Sequence, residues 1–249
     1  MKVPIFEHPE LDGSSFFLMG NQIGVLLIHG FTATTVEVRS LANYLNQRGF
    51  SVSAPLLPGH DTTPQDLNEK KFTDWLKCVE EAYKSLRKKC RGIIVGGESM
   101  GAVLSLYLAE KYPEIKSVLL YSPAIRVPNL KYSKLISIFK PIIRKSNYDD
   151  VMPWQGYSVY PLFAAIEFLR LQKLVVKKLS QVIQPILIFH GDYDRTIDRE
   201  SSNLIFSSIN STIKTKIVMP NSGHVMLLDK EFFEIAERSW EFIKDLKNL

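Results

Sequence analysis

Six short apolar runs, each closed by turn-forming residues and separated from the next by an amphipathic stretch, constrain this chain more than any other feature. They lie at 25–28, 51–54, 92–96, 117–121, 185–189 and 214–219. Their apolar continuity suits strands that are covered on both faces. Between them, helical periodicity predicts helices over 35–48, 72–90, 100–112, 199–209 and 230–246. Strands that alternate with helices in this way imply an α/β class chain, with each helix a crossover flanking a mostly parallel central sheet.

One interval breaks the alternation. From Arg126 to Ile183 about 58 residues separate two expected strands, far more than a short connection needs. Leu135, Ile136, Phe139 and Ile142, then Leu162, Phe163, Ile166, Leu169 and Leu174, carry helix-like apolar spacing there, cut by Pro141, Pro153 and Pro161. The interval reads as a small helical cap over one end of the sheet, so that 1–125 and 184–249 form the core unit and 126–183 the cap. Loops at the carboxyl ends of parallel strands are where such sheets bind ligands. Phe139, Phe163 and Ile166 are therefore expected to line a substrate pocket.

Composition narrows the class further. With 249 residues, 45% of them hydrophobic, the chain can bury a sizeable core, which excludes a disordered protein. Its net charge of +5 comes from clusters such as Lys70-Lys71, Lys88-Lys89 and Lys177-Lys178. No aromatic-interleaved basic stretch accompanies them, so they read as solvated helix faces and no nucleic-acid partner is expected. Cys78 and Cys90 are too few for a disulfide framework or a four-ligand metal site. The start, from Met1 to His8, lacks the apolar stretch of a leader, and no run is long enough to span a bilayer. A cytoplasmic protein without stable membrane insertion is expected.

The sharpest chemical signal is Gly97-Glu98-Ser99-Met100-Gly101, a G-x-S-x-G pentapeptide between an expected strand and an expected helix. In that context a serine is held exposed on a strained turn, beside the free N–H groups of a helix start. A serine hydroxyl needs a base, and in a strand-elbow arrangement the base lies downstream of the acid. Of the five histidines, His8 is near the terminus, His29 and His60 precede Ser99, and His190 precedes the candidate acids. His224, in a turn after the last expected strand, remains. The loop from His190 to Ile197 offers Asp192 and Asp194 as the orienting carboxylate. Asp194, deeper in the loop, is preferred; Asp192 beside Gly191 suits a turn, and Asp198 the N-cap of the next helix. Oxyanion donors are expected at the Met100 N–H and, from the loop His29-Gly30-Phe31-Thr32, at the Phe31 N–H, with His29 bracing that loop.

Taken together, Gly24-Val25-Leu26-Leu27-Ile28-His29-Gly30-Phe31-Thr32, Leu57-Pro58-Gly59-His60, Asp74-Trp75, Gly97-Glu98-Ser99-Met100-Gly101, Gly191-Asp192-Tyr193-Asp194 and Ser222-Gly223-His224 resemble the α/β-hydrolase superfamily. Within it the chain is similar to bacterial carboxylesterases of the monoacylglycerol-lipase-like type, from about residue 22 onward. The resemblance implies a sheet of eight strands or slightly fewer, a small cap and no cofactor. It also implies Ser99, Asp194 and His224 as a catalytic triad, with Phe31 and Met100 as oxyanion donors. Two positions depart from the pattern. His60 is followed by Asp61 where the family often has glycine, and Tyr157-Ser158-Val159-Tyr160-Pro161 stands where glyceride-hydrolysing relatives tend to carry an acidic residue. A serine carboxylesterase acting on short- to medium-chain esters is thus expected ahead of a monoacylglycerol lipase. A non-catalytic ligand-binding protein of the same fold is the reading from a different class, and it would require loss of a triad member.

Overall fold

Each of the six apolar runs is a strand in the computed structural model, which describes residues 5–128, 130–145 and 153–245. Residues 1–4 of the segment read for a leader, Leu246 at the end of the last expected helix, and the outer ends of the core unit lie outside the described residues. The first half of the chain forms β1 (Phe6–Glu7), β2 (Phe16–Leu18), β3 (Ile23–Ile28), α1 (Val36–Gln47), β4 (Ser51–Ala54), α2 (Pro64–Glu69), α3 (Phe72–Arg87), β5 (Gly92–Glu98), α4 (Met100–Lys111) and β6 (Ser117–Tyr121). Then come α5 (Ser133–Ile136), β7 (Ile142–Arg144), β8 (Gly156–Tyr157), β9 (Val159–Pro161) and α6 (Leu162–Val176). The chain closes with β10 (Ile186–Gly191), α7 (Glu200–Ser208), β11 (Lys214–Met219) and α8 (Phe232–Ile243).

The main sheet has seven strands in the order β11-β10-β6-β5-β3-β4-β2. Only the β2–β4 pair is antiparallel; the other pairs are parallel. Alternation along each central strand divides its side chains between two cores. Leu26, Ile28, Val95, Val118, Leu120 and Ile188 pack with residues of α3, α4 and α6. Val25, Leu27, Ile94, Leu119, Tyr121, Leu187 and Phe189 pack with α1 and α8. Both faces are covered, so the central strands are apolar along most of their length, with polar residues such as Ser117, Glu98 and His190 at or near their ends. β11 differs: it is the outer edge, and only Met219 of its six residues is buried. Lys214 and Lys216 on it keep an unpaired edge from templating another strand.

The cap lies between β6 and β10, and its main helix is α6. It is less helical than the apolar spacing predicts. β8 pairs with β1 at the N-terminus, and β9 pairs with β7, so two small antiparallel ribbons hold the cap beside α6. The prolines that divide the interval explain this: Pro161 ends β9 and caps α6, where a missing N–H costs nothing. Among the described residues no helix is long and apolar enough to cross a membrane.

Candidate active site

Ser99 sits on the turn between β5 and α4 with φ 56° and ψ −113°, a conformation that L-residues avoid. The turn is forced by close packing on β3. A Cβ at Gly101 would lie 1.9 Å from the Ile28 carbonyl oxygen, and one at Gly97 would lie 2.5 Å from the same atom. Neither position can carry a side chain. The Ser99 N–H donates to the Tyr121 carbonyl at 2.9 Å, and the Ala124 N–H donates to the Ser99 carbonyl at 3.2 Å, which pins the elbow to β6. Ser99 is left 8% exposed at the carboxyl end of the sheet.

His224 comes to Ser99 from the loop between β11 and α8. Its Nε2 lies 3.1 Å from Ser99 Oγ, and its Nδ1 lies 2.9 Å from Asp194 Oδ2. The loop is held from below, where the end of β10 passes so close that a Cβ at Gly191 would lie 2.4 Å from the Ser222 and Gly223 carbonyl oxygens. Carboxylates fix it from above: the Gly223 N–H donates to Asp229 Oδ2, and the Ser222 hydroxyl and Asn221 N–H donate to Glu231 Oε2. Sequence reasoning did not find Asp229 or Glu231, since acidic residues before a helix look like ordinary helix-start charges.

The two candidate acids separate cleanly. The Asp194 side chain is fully buried; its Oδ1 accepts the Thr196 and Ile197 N–H groups at 2.8 and 2.9 Å, leaving Oδ2 for His224. Asp192 has a side chain 43% exposed and pairs with Arg199. Asp198 accepts the Glu200 N–H at 2.9 Å but stands one residue before the N-cap of α7, which is Arg199 and not Asp198 as expected. Burial raises the Asp194 carboxyl, but the charge and hydrogen bond of His224 with the two N–H donors outweigh it and hold the group below its usual range. For His224, burial opposes protonation, while the Asp194 charge and hydrogen bond, with Glu37 adding to them, turn the net shift upward. A ring so placed takes a proton from Ser99 readily.

The expected oxyanion donors lie on the two sides of Ser99. A Cβ at Gly30 would come within 3.2 Å of Ser99 Cβ, so the Gly30-Phe31 backbone runs directly over the serine. Among the described residues neither the Phe31 nor the Met100 N–H has a hydrogen-bond acceptor in the protein. Met100 opens α4, where the first N–H groups have no intrahelical partner. His29 braces this loop as expected. Its Nδ1–H donates to the Gly30 carbonyl at 2.9 Å and its Nε2 accepts the Leu57 N–H at 3.0 Å, while burial pushes the ring down to about 4. Both nitrogens are used by backbone. Among the described residues no group of three or more His, Cys, Asp or Glu is arranged to hold a metal ion.

The expected pocket residues fare less evenly. Phe139 is 81% exposed beyond α5 and Phe163 47% exposed on the first turn of α6, while Ile166 is half-buried. The cap ring that meets the Gly30-Phe31 loop is Phe168, whose centroid lies 5.7 Å from that of Phe31, and the Trp75 ring lies 6.2 Å from Phe31. Phe163 and Phe168 are five positions apart and face opposite sides of α6. Periodicity located the helix but did not fix which apolar side turns inward. Two buried acids also escaped the sequence reading. Glu98, inside the pentapeptide, accepts N–H groups of Met226 and Leu227 and is raised well above its usual value by burial and by the nearby Glu37. Glu37 itself is buried beside the oxyanion loop.

A family model described as Hydrolase_4, serine aminopeptidase S33, matches residues 21–155 and 158–231. The chain is 34% identical over 241 residues to the thermostable monoacylglycerol lipase of Bacillus sp. (strain H-257), covering 95% of this chain and 96% of that one. It is 29% identical over 236 residues to a carboxylesterase of Bacillus subtilis (strain 168), covering 93% and 96%. A solved structure from work on LipS and LipT, two metagenome-derived lipolytic enzymes, superposes with a TM-score of 0.89 at 28% identity, over 94% of this chain and 98% of its own. At family level these matches support ester hydrolase activity. The chain belongs to the Hydrolase_4 family and has the α/β-hydrolase fold.

Proposed function

We propose that this protein is a serine carboxylesterase acting on short- to medium-chain carboxylic esters through an acyl-enzyme on Ser99. The observation that carries the reading is the unbroken chain from Ser99 Oγ through His224 to buried Asp194. Ser99 Oγ attacks the ester carbonyl as His224 Nε2 takes its proton, and the tetrahedral oxyanion accepts the Phe31 and Met100 N–H groups. His224 then returns the proton to the departing alkoxide, and the alcohol leaves. Water, deprotonated by the same ring, attacks the acyl-enzyme and releases the acid, restoring Ser99. Asp194 keeps the Nδ1 proton of His224 in place so that Nε2 faces the serine.

The cap, 126–183, supplies the apolar side of the site through α6, with Phe168 as its pocket ring; Phe163 and Ile166 lie outside the buried stripe of that helix. Phe139 has no such place, given its exposure. A monoacylglycerol lipase is the second reading, favoured by the 34% identical relative of that name. The experiment is hydrolysis of a p-nitrophenyl ester series and of monoacylglycerols by the purified protein, beside Ser99→Ala. Catalytic efficiency is expected to rise by up to about fourfold per methylene, the value of roughly 0.8 kcal/mol of burial, until the pocket is full. Ser99→Ala is expected to fold, to lose turnover and to resist fluorophosphonate labelling. Labelling of the variant at the parent rate would remove Ser99 as nucleophile, and monoacylglycerols strongly preferred over simple esters would establish the second reading.

A further inference from the structure

Glu37 stands in the first turn of α1, where an acidic residue normally faces solvent and the helix dipole. Here it is 3% exposed and turned toward the site. Its Oε2 accepts the Gly30 N–H at 2.5 Å, and its Oε1 accepts the Trp154 Nε1–H of the cap at 3.3 Å. A Cβ at Gly30 would meet both this carboxylate, at 3.0 Å, and Ser99 Cβ, at 3.2 Å. The acid therefore lies one peptide away from the reacting serine, and the mechanism above does not use it.

We propose that Glu37 is a positioning residue that aims the Phe31 N–H at the reacting carbonyl oxygen and locks the oxyanion loop to the cap. The inference rests on the esterase reading of Ser99. The argument is one of peptide geometry. The Gly30 carbonyl and the Phe31 N–H belong to one trans peptide plane and point in opposite directions, so fixing the carbonyl aims the N–H. His29 fixes that carbonyl. It cannot alone stop rotation at Gly30, whose missing side chain leaves the backbone free. Glu37 holds the preceding N–H, so both peptides flanking the Gly30 Cα are tethered.

The far side of the loop is tied to the cap. The Tyr157 N–H donates to the Thr32 carbonyl at 2.9 Å, Lys145 Nζ donates to Thr32 Oγ1 at 2.6 Å, and the Thr34 hydroxyl donates to Gln155 at 2.7 Å. Through Trp154, Glu37 joins these ties to the serine side of the loop. Burial raises the Glu37 carboxyl, against which the Gly30 N–H, the His224 and Lys145 charges and Trp154 favour its ionised form, and that negative charge bears on the base. The charged groups facing His224 are Asp194 from the loop after β10, Glu37 from α1 and Lys145 from the end of β7. Glu98 faces Glu37 from β5, and His190 faces His224 from β10. Of these, Asp194 and Glu37 favour the protonated ring, and Lys145 opposes it.

Glu37→Gln and Glu37→Ala, with Trp154→Phe, test the proposal on p-nitrophenyl butyrate and by the rate of fluorophosphonate labelling at Ser99. Removing one oxyanion donor from a serine hydrolase costs on the order of 10²–10³ in kcat. Glu37→Ala, which frees the loop, is expected to approach that loss in kcat and in labelling rate, with KM within about threefold of the parent. In Glu37→Gln the amide oxygen can still accept the Gly30 N–H, so most of kcat is expected back. The charge is gone, so the acidic limb of its kcat/KM profile is expected to move to lower pH, which a purely structural role would not produce. Trp154→Phe keeps the charge and is expected to leave that limb in place. Parent kcat and labelling in Glu37→Ala overturn the proposal. If Glu37→Ala does not fold, an acidic limb in Glu37→Gln that coincides with the parent and with Trp154→Phe overturns it equally. A parent protein that is not labelled at Ser99 overturns the esterase reading instead.

Discussion

Ser99 occupies a backbone conformation that costs a non-glycine residue on the order of 1–3 kcal/mol, and the surrounding chain enforces it. The enforcement is local: Gly97 and Gly101 allow β3 to approach, and Tyr121 and Ala124 clamp the turn. A strained residue held so firmly keeps little conformational freedom. The acid is equally particular. Asp194 uses one oxygen for two backbone N–H groups and the other for His224, whereas Asp192 makes an exposed ion pair of the kind worth about 0–1 kcal/mol. Asp194→Asn is expected to lower kcat by on the order of 10⁴, the size known for the equivalent change in a serine protease, because the amide favours the wrong imidazole tautomer. Asp192→Asn should stay within a few-fold of the parent. Steady-state kinetics of the two variants decides, and the reverse ranking would move the acid to Asp192.

Among the elements, α4 and α6 show how differently helices can be buried. α4 is buried almost all round, so its sequence has nearly no polar face. It packs between the sheet and α6. α6 buries one stripe, Leu162, Ala164, Ala165, Phe168, Leu171 and Val175, at the three- and four-residue spacing of a helix face. Phe168 is where that stripe meets Phe31 on the loop after β3. Phe168→Ala removes a buried ring, and a loss of about 3–5 kcal/mol is expected, which for a chain of this size lowers Tm by on the order of 10 °C. Phe163→Ala, on the half-exposed face, should cost about 1 kcal/mol or less. Thermal unfolding of both variants checks the contrast. Equal losses would mean that α6 presents its other side to the core.

At the level of the whole molecule, two cores clasp one sheet, and the site lies along its carboxyl edge, assembled from the ends of β3, β5, β10 and β11. Burying so much of α4 leaves one ionisable group in an unfavourable place. Glu110 is buried with neither carboxylate oxygen hydrogen-bonded among the described residues. Burial pushes it up to about 8, with Lys178 only partly opposing. The folded chain therefore holds this proton more tightly than the unfolded chain, whose carboxyl titrates near its ordinary value of about 4.5. Stability from this group is full below about pH 4.5 and is lost as pH rises toward about 8. Glu110→Gln removes the titration, so the stability of the variant relative to the parent should increase between about pH 5 and pH 8. Urea unfolding at the two pH values measures it. A difference that does not change with pH would show that Glu110 does not titrate in that range.

Order along the chain was enough for the alternation of strands and helices, the elbow at Ser99, the histidine that lies beside it and the existence of a cap. Each of these depends on local chemistry or on sequence order: apolar periodicity, glycine spacing, a turn after a strand, and an interval too long for a simple crossover. The choice of Asp194 over Asp192 was legible as a preference, and the folded chain gives it a geometric reason in the two N–H donors of Thr196 and Ile197. The identity of the cap ring that packs on Phe31 was not legible. Phe163, Ile166 and Phe168 share one helix, and their spacing does not say which side turns inward. Glu37 was hidden for a related reason. In sequence it is a helix-start acid like many others, and only the folding of Trp154 and Gly30 onto it, from 117 positions downstream and seven upstream, makes it a buried acceptor near Ser99. Contacts between distant segments carry no periodic signature, because each depends on how whole elements pack rather than on the residues next to it.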